Sequence, residues 1–475
     1  MSAMTTMPAL DCHLQNFRQL DGDGPANVRA LRERALARFA ELGVPSTALE
    51  DWKYTNVAAL ARRSFHLADE TIPPAAVALA TAAHLGNSIE LVFVNGRYAP
   101  GLSAGGALPK GAQIGSLAHA LRTHPELIEP HIGRYAPFAA AHESLTALNT
   151  AFIRDGAFVY LPVGALLDTP VHCLFVSVAT DGATVAHPRT LIVASEGSRV
   201  TVIEQYVGQG DYWTNAVSEA IVAAGAAVTH HTVQREAVQA FHVGVVAVEQ
   251  AAESRFGSHA VSLGAALTRT DIATRLDAPG ASCTLDGLYL ADGTQHVDHH
   301  TTIDHRQPRG TSRELYKGIM AGRATGVFNG KVFVRPHAQQ SDAQQMNKNL
   351  LLSDEAQIDT KPQLEILADD VKCSHGATIG QLDEDAAFYL RARGIDADAA
   401  RAMLVFAFAN ELIDRIDVAP LRALLATEIE SRLQAPVGPA VPAGTHDREI
   451  DTSTQPPVPA GTAGPMTGHD QGGRS

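Results

Sequence analysis

Between about residue 160 and residue 380 the chain breaks into short β-branched runs separated by Gly, Asp and Pro, among them RTLIVAS, RVTVIEQYV, AVSEAIVAAG, HVGVVAVEQ, TRTDIATRL and GLYLADG. No helix period competes with them. Three of the joints share one form: Gly197-Ser-Arg-Val200, Gly225-Ala-Ala-Val228 and Gly280-Ala-Ser-Cys283. The first two glycines are 28 residues apart, and the second and third are 55 apart, close to twice that. A unit of that length holds two strands and two turns. Its repetition is what a β-helix shows, because each coil buries its apolar residues only by stacking on its neighbours. A large sandwich is the competing reading for many short strands.

The flanks carry helical signals. After Asn27, residues Val28, Leu31, Ala35, Phe39 and Leu42 recur at helix spacing until Gly43 and Pro45. In STALEDWKYTN, Thr47 and Glu50 have capping-box spacing and predict a short helix carrying Trp52 and Tyr54. IELVFVNGRYAP reads as a strand and PFAAAHESLTALNTAFI as a helix, giving a mixed, mostly helical domain over residues 1–160. The β core spans 161–380. Asp383, the acids after it, Arg391, Arg393 and Gly394 bracket a helix. A second follows Asp396, with Ala400, Met403, Leu404, Ala407, Phe408 and Leu412 on one face, and a third starts at Pro420, so 381–433 is a C-terminal helical domain. Residues 434–475, rich in Pro, Gly, Ala and Thr, hold too little apolar surface to offset the entropy of ordering and are expected to be disordered.

The formal net charge of -14 opposes any partner recognised mainly through phosphate, so neither nucleic acid nor an anionic membrane is expected. Cys12, Cys173, Cys283 and Cys373 are too far apart for a local zinc ribbon or ferredoxin-type cluster. The N-terminus lacks a basic stretch leading into an apolar run, and no run of about 18 apolar residues occurs, which points to the cytoplasm.

Several motifs fail for want of context. Gly101-Leu-Ser-Ala-Gly105 has nucleophile-elbow spacing, but GALPKG follows instead of a helix, so Ser103 reads as a loop serine. Gly326-Val-Phe-Asn-Gly330-Lys331 is one residue too short for a phosphate loop and has Val332 where a hydroxyl is required. GQGDYW lacks the third glycine of a dinucleotide fingerprint, so no nucleotide site is expected on this chain. In QHVDHHTTIDH, strand alternation puts His296, Asp298 and His300 on one face, where a cupin-like metal centre or a polar outer face could form.

A second metal-type pair lies in PQLEILADDVKCSHG. Leu364, Ile366 and Ala368 alternate with Glu365 and Asp369, as in a strand with one buried face. Continued, that period puts Cys373 and His375 together on the side away from the core, roughly 6.6 Å apart. Side-by-side i, i+2 groups do not make a Cys-His nucleophile. Iron accepts both groups, yet two ligands are too few, so a site shared with a second chain follows. A buried structural cysteine is the other reading.

The run GVFNGKVFVRPHAQQSDAQQMNKNLLLSDEAQIDTKPQLEILADDVKCSHGATIGQLDEDAAFYLRARGI, with LEDWKYTN and DHHTTIDHRQPRGTSRELYKGIMAGRATG upstream, resembles the SufB/SufD family of the SUF iron-sulfur cluster assembly machinery. Cys373-Ser374-His375-Gly376-Ala377-Thr378 is similar to the SufD branch, where SufB-type chains carry Glu-His. The resemblance implies a mainly β fold: a central right-handed parallel β-helix between N-terminal and C-terminal helical domains. It further implies a non-catalytic scaffold subunit that pairs with a SufB-type chain, docks a SufC-type ABC ATPase through its C-terminal helices and receives sulfur from a donor. A transient iron-sulfur cluster would be held at the shared interface by His375, with Cys373 beside it, and by residues of the partner.

Overall fold

The glycine joints at 197, 225 and 280 are the corners of a parallel β-solenoid. In one sheet Arg199–Gln209, Ala227–Arg235, Arg255–Ser262, Ser282–Ala291, Thr311–Met320, Asp342–Leu351 and Lys372–Gly380 pair in parallel, each with the next. The facing sheet is built likewise from Tyr212–Val222, Phe241–Gln250, Leu267–Leu276, His296–His305, Thr325–Val334 and Gln357–Ile366. The chain alternates between the sheets, so each coil contributes one strand to each. The computed structural model describes residues 8–20 and 25–434.

The corner explains both the repeat and its gap. Gly197, Gly225 and Gly280 are left-handed, with φ of 65°, 64° and 73°, and the equivalent positions in other coils are Glu253, Arg309 and Gln340, with φ of 54°, 61° and 61°. Each donates its N–H to a carbonyl of the next coil: Gly225 to Ala252 at 2.9 Å, Glu253 to Pro279 at 3.0 Å, Gly280 to Pro308 at 3.1 Å. The geometry demands a positive φ that only glycine adopts without steric cost. At Glu253 the ladder holds a residue that pays this cost, and the glycine spacing doubles there.

Inward side chains stack from coil to coil. Val200, Val228, Phe256, Cys283, Ser312, Ala343 and Cys373 occupy one column in register. Parallel strands covered on both faces account for the near-continuous burial of the central coils.

The N-terminal region both covers and extends the solenoid. Helix Ala26–Leu42 buries Ala35 and Phe39 against Trp52, Leu145, Leu148 and Trp213, and Val28 and Leu31 against Leu117 and Ile128. The strand Ile89–Val94 pairs in parallel with Val171–Val178, so it joins the solenoid's own sheet. The capping box expected at Thr47 and Glu50 does not form. Glu50–Trp52 is a single 3-10 turn without a side-chain cap, which drives Trp52 inward.

At the other end Asp383 accepts from the N–H groups of Asp385 and Ala386, starting helix Glu384–Ala392, and Gly394 at φ 89° ends it. Helices Ala397–Ile413 and Ala419–Gln434 lay Leu412, Ile413, Leu421, Leu425 and Ile429 onto Ile203, Val233, Val261, Leu288 and Ile319 of one sheet's outer face. Lys317 Nζ donates to Glu411 at 2.5 Å and Arg415 Nη1 to Asp286 at 3.0 Å across that contact. Gln434 closes the last helix. The segment expected to be disordered otherwise lies outside the described residues.

Candidate functional site

The solenoid has an open end. Gln357–Ile366 and Lys372–Gly380 are the last strands of their sheets, and each pairs with this chain on one edge only. Among the described residues no further coil covers their inward side chains, and Ile366 and Ile379 are 42% and 49% exposed. A strand edge of this kind offers unpaired N–H and C=O groups to another strand.

The turn at 367–371 between these strands resets the alternation, and this corrects the expected orientation of the Cys-His pair. Cys373 and His375 do share one side of Lys372–Gly380. That side faces the solenoid interior, in line with Ala343 and Gln345 of the preceding coil. Cys373 packs against the interior core and is intermediate in burial. Burial pushes its thiol pKa up, partly offset by a backbone hydrogen bond at Ala343. Among the described residues no strand lies beyond His375, and it is exposed. The other described cysteines, Cys12, Cys173 and Cys283, are buried, which leaves Cys373 as the accessible sulfur among them.

Behind His375 the interior is polar. Gln345 Nε2 donates to Glu314 Oε2 at 2.8 Å, and both side chains are buried. Burial raises the Glu314 carboxyl to about 7, against hydrogen bonds that pull the other way. Sequence reading passed over this pair, because a Glu and a Gln 31 residues apart meet only through the register of adjacent coils.

Of the two readings of the His296-Asp298-His300 strand, the metal centre is not formed among the described residues and a polar, hydrogen-bonded outer face is. His296, Asp298 and His300 share a face, but it is the outer one, covered by the segment holding Asp51, Trp52 and Thr55. Asp298 accepts from Thr55 Oγ1 at 2.5 Å and from Arg269 Nη1 at 3.0 Å, and its other oxygen lies 3.1 Å from His300 Nε2. His296 Nε2 is 2.9 Å from Thr55 Oγ1. A guanidinium therefore stands where a cupin-like centre needs a cation. Burial pushes the Asp298 carboxyl up, and His300 and Arg269 more than offset that, holding it well below the usual carboxylate range. Among the described residues no group of three or more His, Cys, Asp or Glu is placed to hold a metal ion. The adjoining cleft of about 290 Å³ carries Arg269 and Lys331, already paired with Asp271 and Asp51.

Ser103 is a tie within its loop: its Oγ donates to Ala99 O and accepts from Val92 N, each at 2.9 Å. The Gly326–Lys331 run lies within strand Thr325–Val334. Sequence reading also missed Phe388 and Tyr389, which stand 70% and 56% exposed on the first C-terminal helix.

Among the described residues the chain is a two-sheet parallel solenoid with an edge strand at one end and a thiol-imidazole pair on the inward side of its last strand, a β-solenoid of the kind found in scaffold proteins. Comparison with known proteins agrees with that class. Residues 175–408 match the SufBD core domain of the SUF system for FeS cluster assembly, and residues 10–173 match the SufBD N-terminal region. A SufBD family iron-sulfur cluster assembly protein of Synechocystis is 34% identical over 84% of this chain and 90% of its own length. The iron-sulfur cluster assembly protein SufD of Escherichia coli is 33% identical over 84% of this chain and 92% of its own, and SufD of Bacillus subtilis is 28% identical over 89% and 97%. The chain belongs to the SufBD family and has its role in iron-sulfur cluster assembly by the SUF system. No helix among the described residues is long and apolar enough to cross a membrane.

Proposed function

We propose that this chain is a SufD-type scaffold subunit, acting in the cytoplasm without chemistry of its own, that lends His375, with Cys373 beside it, to a nascent iron-sulfur cluster at a SufB-type partner. The observation that carries this reading is the uncapped last coil. Both side chains sit on the inward side of Lys372–Gly380, the last strand of its sheet among the described residues. Cluster iron accepts imidazole and thiolate, and two donors from one chain leave positions for donors from another. Iron and sulfide are cargo here, the sulfide brought by a separate donor protein.

A SufC-type ABC ATPase would dock on the C-terminal helices, where Phe388 and Tyr389 of the first helix and Met403 of the second stand exposed, while the second and third helices spend their apolar faces on the solenoid. Because Lys317 and Arg415 tie those helices to the sheet that ends in Cys373 and His375, movement of the ATPase would be passed to the open end.

The test is co-expression with SufB-type and SufC-type chains of one organism, with the mass of the co-purifying assembly read by light scattering. A stable assembly of all three is expected, with cluster yield lost in His375→Ala. Normal cluster yield in that variant, or a chain that stays a monomer beside both partners, overturns the reading.

A further inference from the structure

Gln345 sits directly under His375. The two are register partners on adjacent strands, both on the inward side. The Gln345 amide is anchored at one end only: Nε2 donates to Glu314 Oε2 at 2.8 Å, while Oε1 is buried without any hydrogen-bond partner. The side chain is 2% exposed, so this is a carbonyl oxygen removed from water and left unsatisfied, an arrangement that costs stability unless a donor arrives.

The facing sheet makes room for this amide. Gly330 lies opposite, and a Cβ added there would come within 2.0 Å of Gln345 Nε2. The space that Gly330 leaves is filled by this amide, in a stretch of the interior that also holds the buried polar side chains of Glu314, Asn347 and Asn349. In the next coil the register partner of Gln345, also on the inward side, is His375, whose imidazole can supply an N–H donor.

We propose that Gln345, held by Glu314, is a positioning residue for His375: its Oε1 accepts the N–H of one imidazole nitrogen and so presents the other nitrogen, unprotonated, at the open end. A ligating histidine whose second nitrogen is held in this way has its tautomer and ring orientation set before metal arrives. The inference rests on the proposed role of His375 for its purpose, but the hydrogen bond itself exists or not in the isolated chain.

The experiment is ¹⁵N NMR of histidine-labelled full-length chain, with the His375 signals assigned by their loss in His375→Gln. Wild type is expected to show one His375 tautomer. Gln345→Met, close in volume and without an acceptor, is expected to show a mixture, and Gln345→Glu to restore the single form. A wild-type His375 already mixed between tautomers overturns the proposal whether or not any variant folds. So does a Gln345→Met chain that melts like wild type and keeps the single tautomer. In the three-chain assembly, loss of such a partner is expected to lower cluster yield on the order of 10-fold. If His375→Ala leaves that yield unchanged while the tautomer still follows Gln345, the cluster role fails and the hydrogen bond stands.

Discussion

Arg269 and Asp298 form a buried ion pair at 3.0 Å, with the Arg269 guanidinium 3.8 Å from the centre of the Trp52 ring. The same guanidinium donates twice to Asp271, at 3.0 and 2.9 Å, and once to the carbonyl of Asp51. It thereby fastens the N-terminal segment to the outer face of the solenoid. Replacing Arg269 by Met would strand Asp298 without its cation. We expect a loss of about 3–5 kcal/mol in urea unfolding. The paired Arg269→Met, Asp298→Leu chain should recover part of that, because no charge is then left buried.

Glu314 gives a pH signature. Its folded pKa of about 7 lies above the ordinary carboxylate value, so between those values the folded state holds a proton that the unfolded state has released. Its contribution is fully present below the unfolded pKa and is lost as pH rises through about 7. Glu314→Gln removes the titration. Relative to wild type, that variant should gain roughly 2–3 kcal/mol between pH 4 and pH 8, read from denaturant midpoints across the range.

Glu253 occupies a left-handed corner that glycine fills in the coils before and after it. Its ion pair with Arg309, 3.9 Å long and exposed, contributes little. Glu253→Gly should raise stability by about 0.5–1 kcal/mol, the steric relief exceeding the added chain entropy. Gly225→Ala, at φ 64° with open space around the new Cβ, should cost about 1–2 kcal/mol through the backbone alone. Thermal melts of the two variants should move in opposite directions.

Phe388 and Tyr389 are too exposed to support the fold. Phe388→Ser with Tyr389→Ser should change the stability of the isolated chain by less than about 0.5 kcal/mol. Recovery of the SufC-type ATPase in the co-purified assembly should fall sharply, as loss of an aromatic anchor commonly costs 2 kcal/mol or more. Retained ATPase at wild-type stoichiometry would place the docking surface elsewhere.

The amino-acid sequence alone pointed to the solenoid, with a sandwich left open, because a left-handed corner favours glycine and a coil cannot bury its strands except against another coil. It also determined the capped C-terminal helices at Asp383 and Asp396, where a side chain satisfies N–H groups only two or three residues away. Cys373 and His375 were legible as a pair on one side of one strand, since alternation is local. Which side that is depended on the turn at 367–371, and a shift of one residue there exchanges inside for outside. The tertiary structure alone decided that Arg269, 29 residues before Asp298, occupies the face that seemed fit for a metal. It alone set Gln345 between Glu314 and His375. Groups on successive coils are about 30 residues apart in the chain and about 4.8 Å apart in space. Their partnership is written in the register between strands, which no local pattern of residues records.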